Sequence, residues 1–231
     1  MLFSLRKQKK KLEKKFKINI NYHNIEQVTE MKYLGVILDN KLNWHSHIQY
    51  TCSKLAKAAG IIFKLQRRLP RKILLLLYHG LFATYLQYGI VVWGTAKSTA
   101  MTKLKTLQNK VIRHMTFSDR CTNIQHFFKI LNILKVEDIH FLEVSKFMYK
   151  NANKTLPQTF SEFFRHINHH HETRTKARSN FVLPKPRTNF GKQSLKYNGV
   201  KVWSEIPYNI RTALSKDLFT SQVKDYLLNK Y

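Results

Sequence analysis

Residues 73–93 run for 21 positions without a formal charge, and nothing else in the chain constrains its fold so tightly. A segment of that length must be covered, either by lipid or by other helices. Its composition favours protein, because His79, Gln87, Gly80, Thr84, Gly89 and the tyrosines Tyr78, Tyr85 and Tyr88 interrupt the apolar run. Arg71 and Lys72 on one side and Lys97 on the other leave no asymmetry to orient a membrane span. The segment is therefore expected to be the buried central helix of a soluble bundle, opened by Pro70 and running to about Trp93-Gly94. A small helical membrane protein built on the same residues is the competing reading.

The charge balance is extreme, with 41 Lys and Arg against 13 Asp and Glu in 231 residues and a net charge of +28. Such a field gathers polyanions before any specific contact forms. The basic residues are spread along the chain and interleaved with Tyr, Phe and His, which suits a groove that follows phosphates and stacks bases. RNA and DNA are the expected partners, with no small-molecule substrate; an anionic membrane surface is the bland competitor. Apolar residues make up 43% of the chain and aromatics 13%, ample for a core. Cys52 and Cys121 are the only cysteines and form no Cys-x-x-Cys pair, so neither structural zinc nor an oxidising compartment is indicated. Met1 to Leu5 is followed at once by Arg6 to Lys11, with no apolar stretch behind the charges, so the chain is expected in the nucleus or cytoplasm rather than secreted.

Along the chain, residues 1–15 form a basic arm; eight Lys or Arg fall between Arg6 and Lys17, a composition shared by solvated helices and nuclear localisation signals. Residues 16–43 read as a small β unit. Phe16, Ile18, Ile20 and Tyr22 alternate with polar residues as in a half-buried strand, with a turn at His23-Asn24 and a second run from Ile25 to Val36. Residues 44–156 read as helical. In the first helix Trp44, Ile48, Leu55, Ala59, Ile62 and Leu69 share a face, with Lys54, Lys57, Lys64 and Arg68 nearly opposite. A later helix, about Ser98 to Phe117, sets Leu104, Leu107, Val111 and Met115 against Lys103, Lys110, Arg113 and His114. Two basic faces suggest a shared groove. Residues 123–150 supply two more helical stretches, split near Asn132-Ile133.

From residue 157 prolines and glycines arrive with short extended runs, Arg178 to Leu183 and Gln193 to Tyr197, and a closing helix from Lys216 to Leu228. Residues 157–231 thus read as a C-terminal module. The fold class is mainly α: a small β-hairpin unit, a helical bundle, and a small mixed α/β C-terminal module.

Templated DNA synthesis needs carboxylates that hold two Mg²⁺ ions. The five aspartates, Asp39, Asp119, Asp138, Asp217 and Asp225, include no adjacent pair, and no aromatic-x-Asp-Asp turn occurs. Asp39 reads as a turn residue. His169-His170-His171-Glu172 could bind a metal in principle, but adjacent histidines rarely converge on one ion, and a polar loop is favoured. Ser46 and Cys52 near His45 and His47 lack any oxyanion glycine pattern, and no Walker-type loop is present.

Three blocks in order carry a family resemblance. Lys32-Tyr33-Leu34-Gly35-Val36-Ile37-Leu38-Asp39-Asn40-Lys41-Leu42-Asn43-Trp44, with the strand-like Ile18-Asn19-Ile20 before it, resembles the end of the palm in reverse transcriptases of non-LTR (LINE-type, jockey-like) retrotransposons. Trp44 to Gly94, ending Tyr88-Gly89-Ile90-Val91-Val92-Trp93-Gly94, is similar to the helical thumb that follows. His171-Glu172-Thr173-Arg174, Pro186 to Lys192 and Tyr197 to Pro207 are similar to the C-terminal tail of such elements.

The resemblance implies a template-primer gripped by a hairpin at Lys32 and Tyr33. It implies phosphates met by Lys54, Lys57, Lys64, Arg68, Lys103, Lys110 and Arg113, with Arg174, Arg187 and Lys192 as candidates in the tail. Fingers, most of the palm and its aspartates are unmatched, so the chain is expected to be a reverse transcriptase fragment without polymerase activity or bound cofactor, Mg²⁺ belonging to the missing palm. A co-opted module that assembles with nucleic acid, or in trans with an intact reverse transcriptase, is the alternative.

Overall fold

Leu74, Tyr78, Phe82, Leu86 and Ile90 recur every four residues, and all are buried in the computed structural model of the chain, which describes residues 18–119, 121–160, 162–166 and 181–231. Residues four apart on an α-helix drift by about 40°, so five of them cannot hold one face of a regular helix. The chain answers with a π-helical stretch, Tyr78–Ala83, between Arg71–Leu77 (α2) and Thr84–Gln87 (α3). Its wider turn takes up the drift. Tyr88 is then extended, Gly89 is left-handed (φ 65°), and a single turn, Ile90–Trp93 (α4), closes the segment.

The expected single helix is thus a π-containing helix, a break and a turn. It is not buried all round, since Ile73, Leu76, Tyr85, Tyr88 and Val92 are exposed. No helix among the described residues is long and apolar enough to cross a membrane.

Two antiparallel hairpins precede the helices where one unit was expected. Ile18–Ile20 (β1) pairs with His23–Ile25 (β2) around Asn21-Tyr22, both at positive φ as a tight two-residue hairpin turn requires. The turn therefore falls two residues before the expected His23-Asn24, because Asn21 tolerates the left-handed conformation. Ile18 and Ile25 are exposed, so the alternation marks no buried face. Glu30–Tyr33 (β3) pairs with Val36–Asp39 (β4) around Leu34-Gly35, again both at positive φ.

The helices His45–Leu65 (α1) and Ser98–Thr116 (α5) lie side by side. They run parallel: Cys52 shares a cleft with Lys103 and Leu107, and two to three turns on Phe63 packs against His114, 4.8 Å between ring centres. Gln125–Ile130 (α6) ends at a left-handed Asn132, at the expected split. The C-terminal helices are Asn189–Gln193 (α8), Leu195–Glu205 (α9), Tyr208–Arg211 (α10) and Lys216–Leu228 (α11). Val136–Ala152 (α7) is the support on which α3, α4, α9 and α11 rest, with α8 packed on α9 and α10 on α11.

The stretch Gln193 to Tyr197, expected to be extended, is helical apart from Ser194. The Thr188 hydroxyl caps α8 by accepting from the Gly191 N–H at 3.0 Å, and Ser194 separates α8 from α9. Of the run Arg178 to Leu183, Phe181 forms an isolated bridge with His166. Buried residues from Ile48 to Leu228 make one hydrophobic cluster, so Trp203, Phe219 and Leu227 share a core with Trp93 and Met148.

His140, on α7, sits against Gly94, and its Nε2 has no hydrogen-bond partner among the described residues. Burial holds its imidazole well below the usual histidine range, at about 4. Below pH 6.5 the unfolded chain therefore binds a proton that the folded chain refuses, and stability falls as pH drops from 6.5 to about 4. The loss should approach about 3 kcal/mol from this group, and burial lowers His47, His79 and His114 in the same direction. Urea midpoints at pH 7 and pH 4.5 should differ less in His140→Phe than in the parent; an equal difference would remove His140 from the account.

Candidate nucleic-acid interface

Asp39 organises the joint between the β3–β4 hairpin and α1. Its buried carboxylate accepts from the backbone N–H groups of Lys41 (2.9 Å), Asn43 (3.1 Å) and Trp44 (3.0 Å). These charge-assisted bonds hold Trp44 left-handed (φ 64°) where α1 begins without a side-chain cap. Asp39 is thus the expected turn residue, with its carboxylate spent on backbone donors. Asp39→Ala should cost about 2 to 3 kcal/mol, because three backbone N–H groups lose a charged acceptor. A urea midpoint within error of the parent's would contradict that role.

Lys54, Lys57, Lys64 and Arg68, placed by sequence on one face, divide between two sites. At about 100° per residue, Lys54 lies on the flank of α1 that meets the hairpin, and Lys57 and Lys64 lie on its outer crest. Lys54 joins Lys32 of β3: their ammonium groups stand 5.5 and 5.2 Å from the centre of the Tyr50 ring. Tyr50 was not among the expected binding residues. Its signal was its position four residues before Lys54 on the same helix face. Tyr33 is exposed at the end of β3, and the Tyr88 hydroxyl donates to the Leu34 carbonyl and so pins the hairpin tip to the break between α3 and α4.

On α5, Lys103 and Lys110 lie on the flank beside α1, whereas Lys105 points the other way and pairs with Glu137 of α7. Arg113 is half-buried, and its Nε has no hydrogen-bond partner among the described residues. The parallel helices border a shallow valley that Lys103 lines, with Lys110 exposed two turns further along α5 and Lys57 and Lys64 exposed on the crest of α1. Each pair is seven residues, two helical turns, apart. Lys103 is close enough to oppose the rise that burial imposes on the Cys52 thiol. With 41 cations against 13 carboxylates, at least 28 Lys and Arg have no carboxylate of their own.

Part of the chain matches curated proteins. It is 33% identical over 95 residues to the probable RNA-directed DNA polymerase from transposon X-element of Drosophila melanogaster, covering 40% of this chain and 10% of the relative. It is 30% identical over 79 residues to the retrovirus-related Pol polyprotein from type-1 retrotransposable element R1 of Bradysia coprophila, covering 33% and 8%. It is 29% identical over 103 residues to the RNA-directed DNA polymerase from mobile element jockey of Drosophila melanogaster, covering 43% and 11%. This chain is similar to the RNA-directed DNA polymerases of non-LTR retrotransposons. The matches span about a tenth of those relatives' length. No protein-family profile and no solved structure matches the chain.

The remaining residues expected from the reverse transcriptase resemblance are dispersed. Arg68 is exposed in the turn after α1. Arg187 and Lys192 are exposed around α8, which packs chiefly on α9 rather than on the valley helices. Arg174, the basic arm from Arg6 to Lys17, and His169 to Glu172 lie outside the described residues. Among the described residues no three of His, Cys, Asp and Glu cluster so as to hold a metal ion. Asp138 is engaged by the Tyr231 hydroxyl, and burial raises its carboxyl above the usual range.

Proposed function

We propose that this chain is a part of a non-LTR retrotransposon reverse transcriptase that grips RNA or DNA through its phosphates and does not polymerise by itself. The observation that carries the reading is the parallel α1–α5 pair, with Lys57 and Lys64 exposed along the crest of one helix and Lys103 and Lys110 exposed along the other, each pair two turns apart. Lysines so spaced on both helices suit a backbone that presents a charge at regular intervals. The polymerase relatives supply the nature of the polyanion. Asp39 is committed to backbone donors and Asp138 to Tyr231, so neither fits a two-metal site, and we assign Mg²⁺ to a palm that this chain does not provide. The reading places the protein in the nucleus or cytoplasm, where such nucleic acid is met.

Binding to a primed template should weaken linearly in log salt. Changing Lys57, Lys64, Lys103 and Lys110 to alanine should lower the slope by about 0.7 to 0.9 for each phosphate no longer neutralised. The parent should bind yet extend no primer with Mg²⁺ or Mn²⁺. An unchanged slope would move the surface elsewhere, and templated incorporation by the purified chain would overturn the fragment reading.

A further inference from the structure

Between the β3–β4 turn, α1 and α3 lies an open cleft of about 300 Å³. Its walls are Tyr50, Tyr85 and Tyr88, with His47, Thr51 and Thr84. Three aromatic side chains around one small cleft would by themselves be ordinary packing, but Tyr85 and Tyr88 are exposed and Tyr50 is half-buried. Lys32 and Lys54 approach the same Tyr50 ring. Glu30, two residues before Lys32, is held by the Ser46 hydroxyl. The π-helical stretch ends at Ala83, directly before Thr84 and Tyr85, and so sets the phase that turns them toward α1.

An apolar cleft alone would take an aliphatic group, and a pair of lysines alone would take any anion. Tyrosine rings beside two ammonium groups select a flat, π-bearing group that carries its own negative charge. We propose that this cleft receives one unpaired nucleobase of a bound strand, stacked against the tyrosine rings, with its phosphate at Lys32 and Lys54. At about 300 Å³ the cleft lies at the small end of ligand pockets, which suits a single base. His47 is fixed for the role: its Nδ1 accepts from the Ile37 N–H at 3.3 Å, so the neutral ring carries its proton on Nε2. A base inside a duplex cannot enter, because its faces are occupied by its neighbours. The site therefore reads unpaired strand, whereas the α1–α5 valley reads phosphate. This assignment rests on the nucleic-acid reading above and makes a separate claim about it.

The test compares the full chain on three ligands of equal length by fluorescence anisotropy: a single-stranded oligouridylate, an abasic strand with the same phosphates, and a blunt duplex. The parent should bind the base-containing strand about tenfold more tightly than the abasic one, the span expected for one stacked base. Tyr85→Ala and Tyr50→Leu should each shrink that ratio toward one, and Tyr85→Ala, which leaves the Tyr50 ring and its two lysines in place, should leave the salt slope unchanged. Tyr50→Phe, which keeps the ring, should preserve it. Equal affinity of the parent for the two single strands would overturn the base site while leaving phosphate binding intact. So would a ratio that survives both tyrosine variants. Loss of salt-dependent binding to all three ligands would instead sink the broader reading.

Discussion

Gly94→Ala should destabilise the chain by about 3 to 4 kcal/mol, the upper end of what one added methyl costs in a packed interior. A Cβ at Gly94 would lie 2.5 Å from the Ile90 carbonyl oxygen and closer still to the His140 imidazole at Cδ2. The carbonyl cannot retreat easily, because it accepts the Gly94 N–H at 2.7 Å to close α4. Backbone freedom is not the issue: φ at this position is −66°, where alanine is comfortable. The cost is therefore steric and has two separable parts. His140→Ala in the Gly94→Ala background should recover a part by removing the ring, and the clash with Ile90 should persist. A Gly94→Ala urea midpoint equal to the parent's would mean that α4 and α7 do not approach this closely in solution.

Gln108→Ala should cost about 4 kcal/mol. Gln108 is buried inside the apolar face of α5, and its amide is hydrogen-bonded to three other parts of the chain. Its nitrogen donates to the Tyr78 hydroxyl at 2.9 Å and to the Leu134 carbonyl at 2.8 Å, and its carbonyl oxygen accepts from the Val136 N–H at 3.1 Å. Tyr78 starts the π-helical stretch and Val136 starts α7, so one side chain ties α5 to both. Truncation leaves several buried polar groups unpaired and opens a cavity. Gln108→Met fills the space without the bonds and should cost less, about 3 kcal/mol. Equal stability of the methionine variant and the parent would show that the three bonds contribute nothing net.

What could be read from the sequence followed from properties of single helices. The limits of α5 were expected at Ser98 and about Phe117 and are Ser98 and Thr116, because one apolar stripe with a consistent phase marks both ends. Asp39 was legible as a turn residue because Asp-Asn-Lys is local turn chemistry. The π-helical stretch was not anticipated, although the four-residue spacing from Leu74 to Ile90 holds the clue: a row that drifts on an α-helix stays in line only if the helix changes pitch.

The division of the α1 lysines was hidden for a different reason. Periodicity gives angles about one axis and says nothing of which neighbour stands beside each flank. Lys54 became a neighbour of Lys32 through a hairpin 22 residues away in the chain, and the three partners of Gln108 likewise come from other elements.

The parallel pairing of α1 and α5 gives the valley a polarity. Neither helix has an acidic residue in its first turn, but Asp39 and Glu30 reach the start of α1 at the Trp44 N–H and the Ser46 hydroxyl, so the positive macrodipole end that stands at the entrance is that of α5, near Ser98. At the far end, where the dipoles turn negative, Lys64, Arg113 and His114 occupy the last turns. Fixed backbone charge thus supplies the positive potential at one end and side chains restore it at the other. A strand lying along the valley would meet lysines along its length and, at the entrance, a backbone contribution that side-chain substitution cannot remove.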